Sequence, residues 1–353
     1  MLKRMVNELR CTVTITTTGP VLVKSGQASV SGPDMTPVKT YRNGNWEVYL
    51  PGSSLKGVIR SHLEKVCRTL RPGIVCNPFV FAKRSAQEND NQLDCPDFVD
   101  VACSDKFELR EKTKLKLESS NRNWGRPENT KETVTSELAY ADACPICRLF
   151  GSTSFIGRLS IGDAYLINSG RTETRDGVGI DRFTGGAANT AKFDLETVST
   201  GVSFKTDILM RNFECWQIGM LLVALDDLRD QLIRIGSGRS RGFGAVKGEI
   251  SELSIHTLAP AQGRPTNEIW GLGKFFSEAE RISYRGFADD ILTLQNDLTE
   301  EIRGLRRTFS FVGDSLTSLE TAAREHFVSR LDHWEYPARM NWPNDWQRGQ
   351  NNG

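Results

Sequence analysis

The chain has almost no surplus of either charge. Its 353 residues set 45 Lys and Arg against 44 Asp and Glu, which confines any polyanion-binding surface to a local patch. No apolar run approaches the roughly 20 residues of a membrane span. The first residues carry no apolar stretch leading to a cleavage site, so a soluble cytoplasmic protein is expected. Histidine is scarce: His62, His256, His326 and His333 show neither metal-ligand nor catalytic spacing, which speaks against a histidine-driven acid–base enzyme. No internal repeat is evident. Eight cysteines in a chain of this length read as thiols or metal ligands more readily than as disulfides.

What is present reads as alternating strands and helices. Val13 to Thr18 alternates Val, Thr and Ile and predicts a first strand. Gly19 to Val48 is polar and rich in turn formers, as a long loop would be. A helix follows from Ser53 to about Leu70, its apolar stripe formed by Leu55, Val58, Ile59, Leu63 and Val66. Arg71 to Ala143 is charged and weakly periodic, an irregular insertion (about 71–150). Arg158–Ile167 reads as a strand, and Asn168–Lys192, with little to bury, as a projecting arm (about 168–200). Val202–Arg211 alternates again, Cys215–Ile233 is an amphipathic helix, and a strand runs from Ala245 to Ile255. This order predicts an α+β, ferredoxin-like (RRM-like) antiparallel sheet with helices on one face over residues 1–257. A charged helical extension, 258–353, is expected beyond it, with Trp334, Trp342 and Trp346 either docking on a neighbour or forming a satellite core.

Two segments suit a phosphate backbone. In Pro51-Gly-Ser-Ser-Leu-Lys-Gly-Val-Ile-Arg60 the helix opens with the free N–H groups of Gly52, Ser53 and Ser54, and the macrodipole favours an anion there. Lys56 and Arg60 lie one turn apart on one face. Ser53 serving only as a cap is the plain alternative. In the segment Ile235–Gly248, glycines 236, 238, 242 and 244 surround Arg239, Ser240 and Arg241, so bare backbone and two guanidiniums can meet an anion closely. Cys144-Pro-Ile-Cys147 is a CxxC knuckle, either half of a tetrahedral zinc site or a redox pair. Zinc partners would come from Cys76, Cys95 and Cys103, with Cys76 and Cys103 preferred and Cys95 the substitute. Cys11, Cys67 and Cys215 fall on strand or helix patterns and read as core thiols.

Four landmarks in order resemble the RAMP superfamily, and within it the repeated backbone subunit of type III CRISPR effector complexes. They are LPGSSLKGVIRSHLE from Leu50, CPICRLFGS from Cys144, RDGVGIDRFTGGAANTAKFDLE from Arg175 and GSGRSRGFGAVKGE from Gly236. The resemblance implies a protein that binds guide RNA and target single-stranded RNA beside neighbouring RAMP subunits and other effector subunits. It implies RNA contacts at Ser53, Ser54, Lys56, Arg60, Arg239, Ser240 and Arg241. It casts the arm as a thumb, with Phe183 wedging against a base and Arg182 holding phosphate. It also implies structural zinc on the cysteines. Asp34, in the loop Ser31–Val38, occupies the place of the aspartate required for target cleavage, where it would work with Mg²⁺ or a similar divalent cation. A simple turn role for Asp34 after Pro33 remains the alternative. The same resemblance leaves open a non-catalytic structural subunit. A stand-alone nuclease processing precursor guide RNA is disfavoured by the absence of a placed histidine.

Overall fold

The computed structural model describes residues 4–26, 32–79, 102–104, 136–258 and 263–335. Cys95, Trp342, Trp346 and most of the 71–150 insertion lie outside them. Strand β1 (Asn7–Thr17) begins earlier than Val13, because Leu9 and Cys11 continue the alternation. Leu9, Cys11, Val13 and Ile15 are buried, while Arg10, Thr12, Thr14 and Thr16 face outward. The expected 19–48 loop holds a hairpin of β2 (Lys39–Arg42) and β3 (Asn45–Val48). Its two turn residues, Asn43 and Gly44, both take positive φ, 52° and 84°, the mirror-image turn that matches strand twist.

Helix α1 (Gly52–Leu70) buries Leu55, Ile59, Leu63 and Cys67. At the end of the insertion come α2 (Ser136–Asp142), α3 (Pro145–Phe150) and a small hairpin of β4 (Gly151–Ser152) and β5 (Phe155–Ile156). The expected strand 158–167 is two pieces, β6 (Leu159–Ile161) and β7 (Tyr165–Leu166). The break falls at Gly162 and Asp163, whose backbone and carboxylate serve other partners. The arm is a two-stranded ribbon of β8 (Thr172–Ile180) and β9 (Ala187–Val198). Then follow β10 (Ser203–Arg211), α4 (Cys215–Arg229) and β11 (Val246–Thr257).

The stretch beyond Thr257, expected to be helical, holds strands as well as helices. It contains β12 (Glu268–Trp270), α5 (Glu278–Tyr284), β13 (Ile291–Thr293), β14 (Glu300–Arg303), β15 (Arg306–Phe311) and α6 (Asp314–Asp332). Strand β15 pairs with β11, and the seven-stranded antiparallel sheet runs β14-β15-β11-β1-β10-β6, with β7 also on β10. Four consecutive strands, β11-β1-β10-β6, stand in the order fourth, first, third, second of the βαββαβ unit. The physical reason for the misreading is alternation: in Arg306–Phe311, Phe309 and Phe311 are buried and Ser310 is exposed, which is strand periodicity inside a charged stretch.

Helices α1 and α4 cover one face of the sheet, with Leu55, Val58 and Ile59 of α1, Leu225 and Leu228 of α4, and Val13 and Ile15 of β1 around one internal cavity. Helix α4 is not merely amphipathic. Eleven of its fifteen residues are buried, because α6 packs on the side away from the sheet. Asp290, fully buried, accepts from the Cys215 amide at 2.7 Å and the Gly273 amide at 2.9 Å, so the late segment caps α4. Trp334 packs edge-on against Trp216 at 5.2 Å and lies under the Arg148 guanidinium at 4.3 Å. The described member of the Trp cluster is therefore core.

Gly219 shows how close α4 and α6 are: a Cβ there would run into the Ala323 carbonyl oxygen. Gly219→Ala is expected to destabilise the chain by about 3 kcal/mol, since backbone cannot yield as a side chain can. Gly57→Ala, on the exposed side of α1 with nothing near its Cβ, is expected to stabilise by roughly 0.5–1 kcal/mol. Denaturant unfolding of the two variants checks both signs. No described helix is long and apolar enough to cross a membrane.

Candidate nucleic-acid interface and metal centre

The tip of α1 differs from the expected one in one respect. Pro51 is the N-cap and no side chain caps the helix, so Ser53 does not. The Gly52 amide is taken: it donates to Asp163 Oδ1 at 2.7 Å. A Cβ on Gly52 would strike the Ile161 carbonyl, so glycine is what lets the tip reach the β6–β7 corner. Among the described residues nothing accepts from the amides of Ser53 and Ser54. Those two donors are what the tip offers an anion.

Lys56 and Arg60 share a face as their spacing requires, but that face meets protein. Lys56 Nζ donates to the Leu159 carbonyl at 2.8 Å, and burial together with the Arg60 charge lowers its pKa. Arg60 reaches Glu64 at 3.2 Å, the Gly151 carbonyl at 3.4 Å and Cys147 Sγ at 3.3 Å. Burial opposes its charge, but the Cys147 sulfur and Glu64 outweigh that and raise its pKa. Helical spacing fixes which side chains are neighbours, and says nothing of what stands opposite them.

The glycine segment forms a 3₁₀ turn at Arg239–Arg241, flanked by Gly238 (φ 75°) and Gly242 (φ 87°). Gly236 and Gly244 are also at positive φ, and a Cβ on either would strike a carbonyl, Leu22 and Ile235 respectively. Arg239, Ser240 and Arg241 are exposed. Arg239 Nε donates to the Gly236 carbonyl at 3.1 Å. Arg241 lies 5.4 Å from the Phe193 ring on β9. Beneath the turn, Phe243 packs with Leu22 and Leu195, and Met35 and Phe193 close this small cluster.

Asp34 is therefore next door. It is exposed, and its Oδ2 accepts from the Asp194 amide at 2.9 Å. Met35 donates to the Asp194 carbonyl at 3.3 Å and accepts from the Glu196 amide at 2.9 Å, which lays the loop along β9. The carboxylate does not close a local turn; it crosses to the ribbon. Asp176, opposite Asp194 on the ribbon, raises its pKa, an effect to which Asp34 adds.

At the far end of the ribbon, Asp181 Oδ1 accepts from the amides of Phe183 at 2.7 Å and Thr184 at 3.2 Å. This turn holds Phe183 fully in solvent, with Val178, Ile180 and Arg182 also exposed. Asp181 and Asp163 are the positioning residues that spacing missed. The aspartate two residues before an exposed aromatic was the available signal for Asp181; Asp163 had none, since its partner is distant in sequence.

The described cysteines Cys76, Cys103, Cys144 and Cys147 come together, all buried, with sulfurs within 4.8 Å of one another. Cys76–Cys147 and Cys144–Cys76 sulfur separations are 3.7 Å. Tetrahedral thiolates at a Zn–S distance of about 2.3 Å stand about 3.8 Å apart, so the set fits a zinc ion. The Cys147 amide donates to Cys144 Sγ at 3.4 Å, the Cys144 amide to Cys103 Sγ at 3.4 Å, and Arg60 to Cys147. Such donors suit sulfurs carrying negative charge. Cys67 stands apart, its thiol pushed up to about 12 by burial and the nearby Cys144 charge.

The structure thus joins the arginine turn, the Asp34 loop and the ribbon base in one cluster, and joins Arg60 to the cysteines. The α1 tip is at the β6–β7 corner, and Val58 and Ile59 of α1 line the same internal cavity as Ile235, which opens the glycine segment. No curated protein matches the chain. A family model described as the RAMP superfamily matches residues 14–247, well over half the length and spanning β1 to the first residues of β11. The span takes in Asp34, the helix tip, the cysteine knuckle, the ribbon and the glycine turn, and the chain belongs to the RAMP superfamily.

Proposed function

We propose that this protein is a guide-RNA-binding backbone subunit of a cytoplasmic type III CRISPR effector complex, and that it cuts complementary target RNA at Asp34. Membership of the RAMP superfamily points to a CRISPR-associated RNA-binding subunit. The observation that carries the finer reading is the meeting of Arg239, Arg241, Asp34 and the base of the β8–β9 ribbon around Leu22, Leu195 and Phe243. Cations, an exposed carboxylate and a projecting wedge then lie along one path for a ribose-phosphate strand.

In this reading the turn arginines and the Ser53–Ser54 amides hold guide phosphates, and Phe183 at the ribbon tip displaces a base. Asp34 would hold a divalent cation such as Mg²⁺, which supplies charge neutralisation at the scissile phosphate. The ribbon holds the strand bent, so that its own 2′-OH stands in line with the departing 5′ oxygen. Cys76, Cys103, Cys144 and Cys147 would hold a structural zinc that ties the insertion to α1. Copies would add head to tail along the guide, flanked by other effector subunits. A non-cutting structural subunit is the second reading, favoured by the hydrogen bond that already occupies Asp34 Oδ2.

The test of the RNA reading is the double variant Arg239→Glu and Arg241→Glu in the full-length chain. Affinity for single-stranded RNA is expected to fall about 100-fold at low salt, and the slope of log K against log salt to flatten by at least about 1.4 for the two lost contacts. Unchanged affinity and slope would count against the interface.

A further inference from the structure

We propose that Tyr41 and Trp46, on the β2–β3 hairpin that follows the Asp34 loop, form a stacking platform for unpaired bases of single-stranded RNA. The proposal rests on the RNA-binding reading above and adds a contact class that the phosphate-facing segments do not supply.

The two rings are a directly opposed cross-strand pair, one pair removed from the turn. They are 63% and 70% exposed, unusual for a Tyr and a Trp in contact with each other. Their centroids are 5.7 Å apart at an interplanar angle of 66°, so one ring braces the other and leaves aromatic face open to solvent. The hairpin is pre-set by the positive-φ Asn43–Gly44 turn, which keeps the ordering cost of binding low.

Its two faces are used differently. Residues alternate, so Arg42, Glu47 and Tyr49 share one face. Arg42 pairs with Glu47 at 3.3 Å and lies 4.5 Å over the Tyr165 ring, and Tyr49 stacks on Tyr165 at 6.1 Å. That face fastens the hairpin to β7. Lys39, Tyr41 and Trp46 share the other. Lys39 Nζ reaches Glu196 of β9 at 3.1 Å, two residues beyond Asp194, whose amide holds Asp34. The open rings therefore stand on the face turned toward the ribbon base.

The outward residues of β1, β10 and β11 include no Phe, Tyr or Trp, so this sheet has no aromatics on those strands to stack bases as RRM sheets do. The rings stand on the hairpin instead. Their surroundings favour a nucleic acid over an apolar protein surface: Lys39 shares their face, Asn43 stands exposed at the turn, and the aliphatic on that face, Val48, is buried. A cross-strand aromatic pair also steadies a hairpin, but that role is served as well by strand-forming residues that cannot stack.

The experiment uses the full chain and Tyr41→Thr/Trp46→Thr, which keeps strand propensity. Binding of a fluorescent oligouridylate is followed by anisotropy across a salt series, with a matching abasic oligonucleotide, and thermal unfolding verifies the fold. The variant is expected to bind the oligouridylate about 10- to 100-fold more weakly, with an unchanged salt slope, because stacking releases no counterions. Its preference for the oligouridylate over the abasic probe should shrink by the same factor. Affinity within twofold of wild type, while wild type binds RNA, overturns the platform and leaves the RNA-binding reading intact. A lost salt slope, or sedimentation showing that the variant loses self-association rather than RNA affinity, also overturns it. A wild-type chain that binds no RNA removes both.

Discussion

Alanine in place of Asp34 is expected to lower target-RNA cleavage at this subunit's position in an assembled complex by at least about 100-fold, with guide binding unchanged. The carboxylate is exposed, and its Oδ2 accepts from the Asp194 amide. The stability lost with that hydrogen bond is about 1 kcal/mol, too little to unfold the loop, which keeps its backbone bonds to Asp194 and Glu196. The rate loss would instead come from the missing cation-binding charge beside the scissile phosphate. Asp34→Asn separates the two readings of this residue. Asparagine keeps an oxygen for the Asp194 amide but not the charge. If Asp34 serves only as a latch, Asn cuts normally; if it holds a cation, Asn is as inactive as Ala. Cleavage products resolved on a gel at each position along the target read out the difference.

The second large effect concerns the sulfurs. Purified protein is expected to carry one zinc per chain by elemental analysis, and Cys144→Ser to reduce this to background while lowering the melting temperature markedly. Cys144 has the closest relations to the other three: 3.7 Å to Cys76, and amide–sulfur contacts linking it to Cys103 and Cys147. Three ligands with a weak serine hold zinc poorly, and binding energy lost at a structural site is folding energy lost. Cys67→Ser is the internal control. Its thiol is buried near the cluster but outside the four, so it should leave zinc content intact while costing only packing. Equal zinc loss in both variants would mean that the four-sulfur assignment is wrong.

Much of this was written into the chain at short range. The alternation of β1, the stripe of α1, the CxxC knuckle and the turn-rich arm each depend on near neighbours, and each is where its local pattern put it. What the pattern left undecided was always a distant partner. Cys76 and Cys103 could be preferred over Cys95 but only spatial placement brings them to Cys144 and Cys147. The Lys56–Arg60 spacing identified a shared face, whereas Leu159 and Cys147, on which that face closes, lie far along the chain. The burial of α4 on both sides waits on α6, and Gly219 has no meaning in sequence until Ala323 stands against it. The extension was misread for a different reason: charge at Arg306 and Arg307 masked the two-residue period of Phe309 and Phe311.

Strand β15 has a consequence for how copies can join. By lying against β11 it takes that strand out of reach and hands the flank to β14, four residues long. There Glu300 is engaged by Arg264 and Arg307, at 3.2 Å each, and Glu301 by Arg303. A short margin studded with paired ions is a poor template for backbone-to-backbone fusion. On the opposite flank β6 is three residues long, and Leu50 exchanges amide bonds with Ala164 nearby. Polymerisation by sheet extension is blunted at both margins. Were copies to line one guide strand, as proposed, their spacing would be left to side chains and to the nucleotide count of that strand, and the ligand would be the ruler.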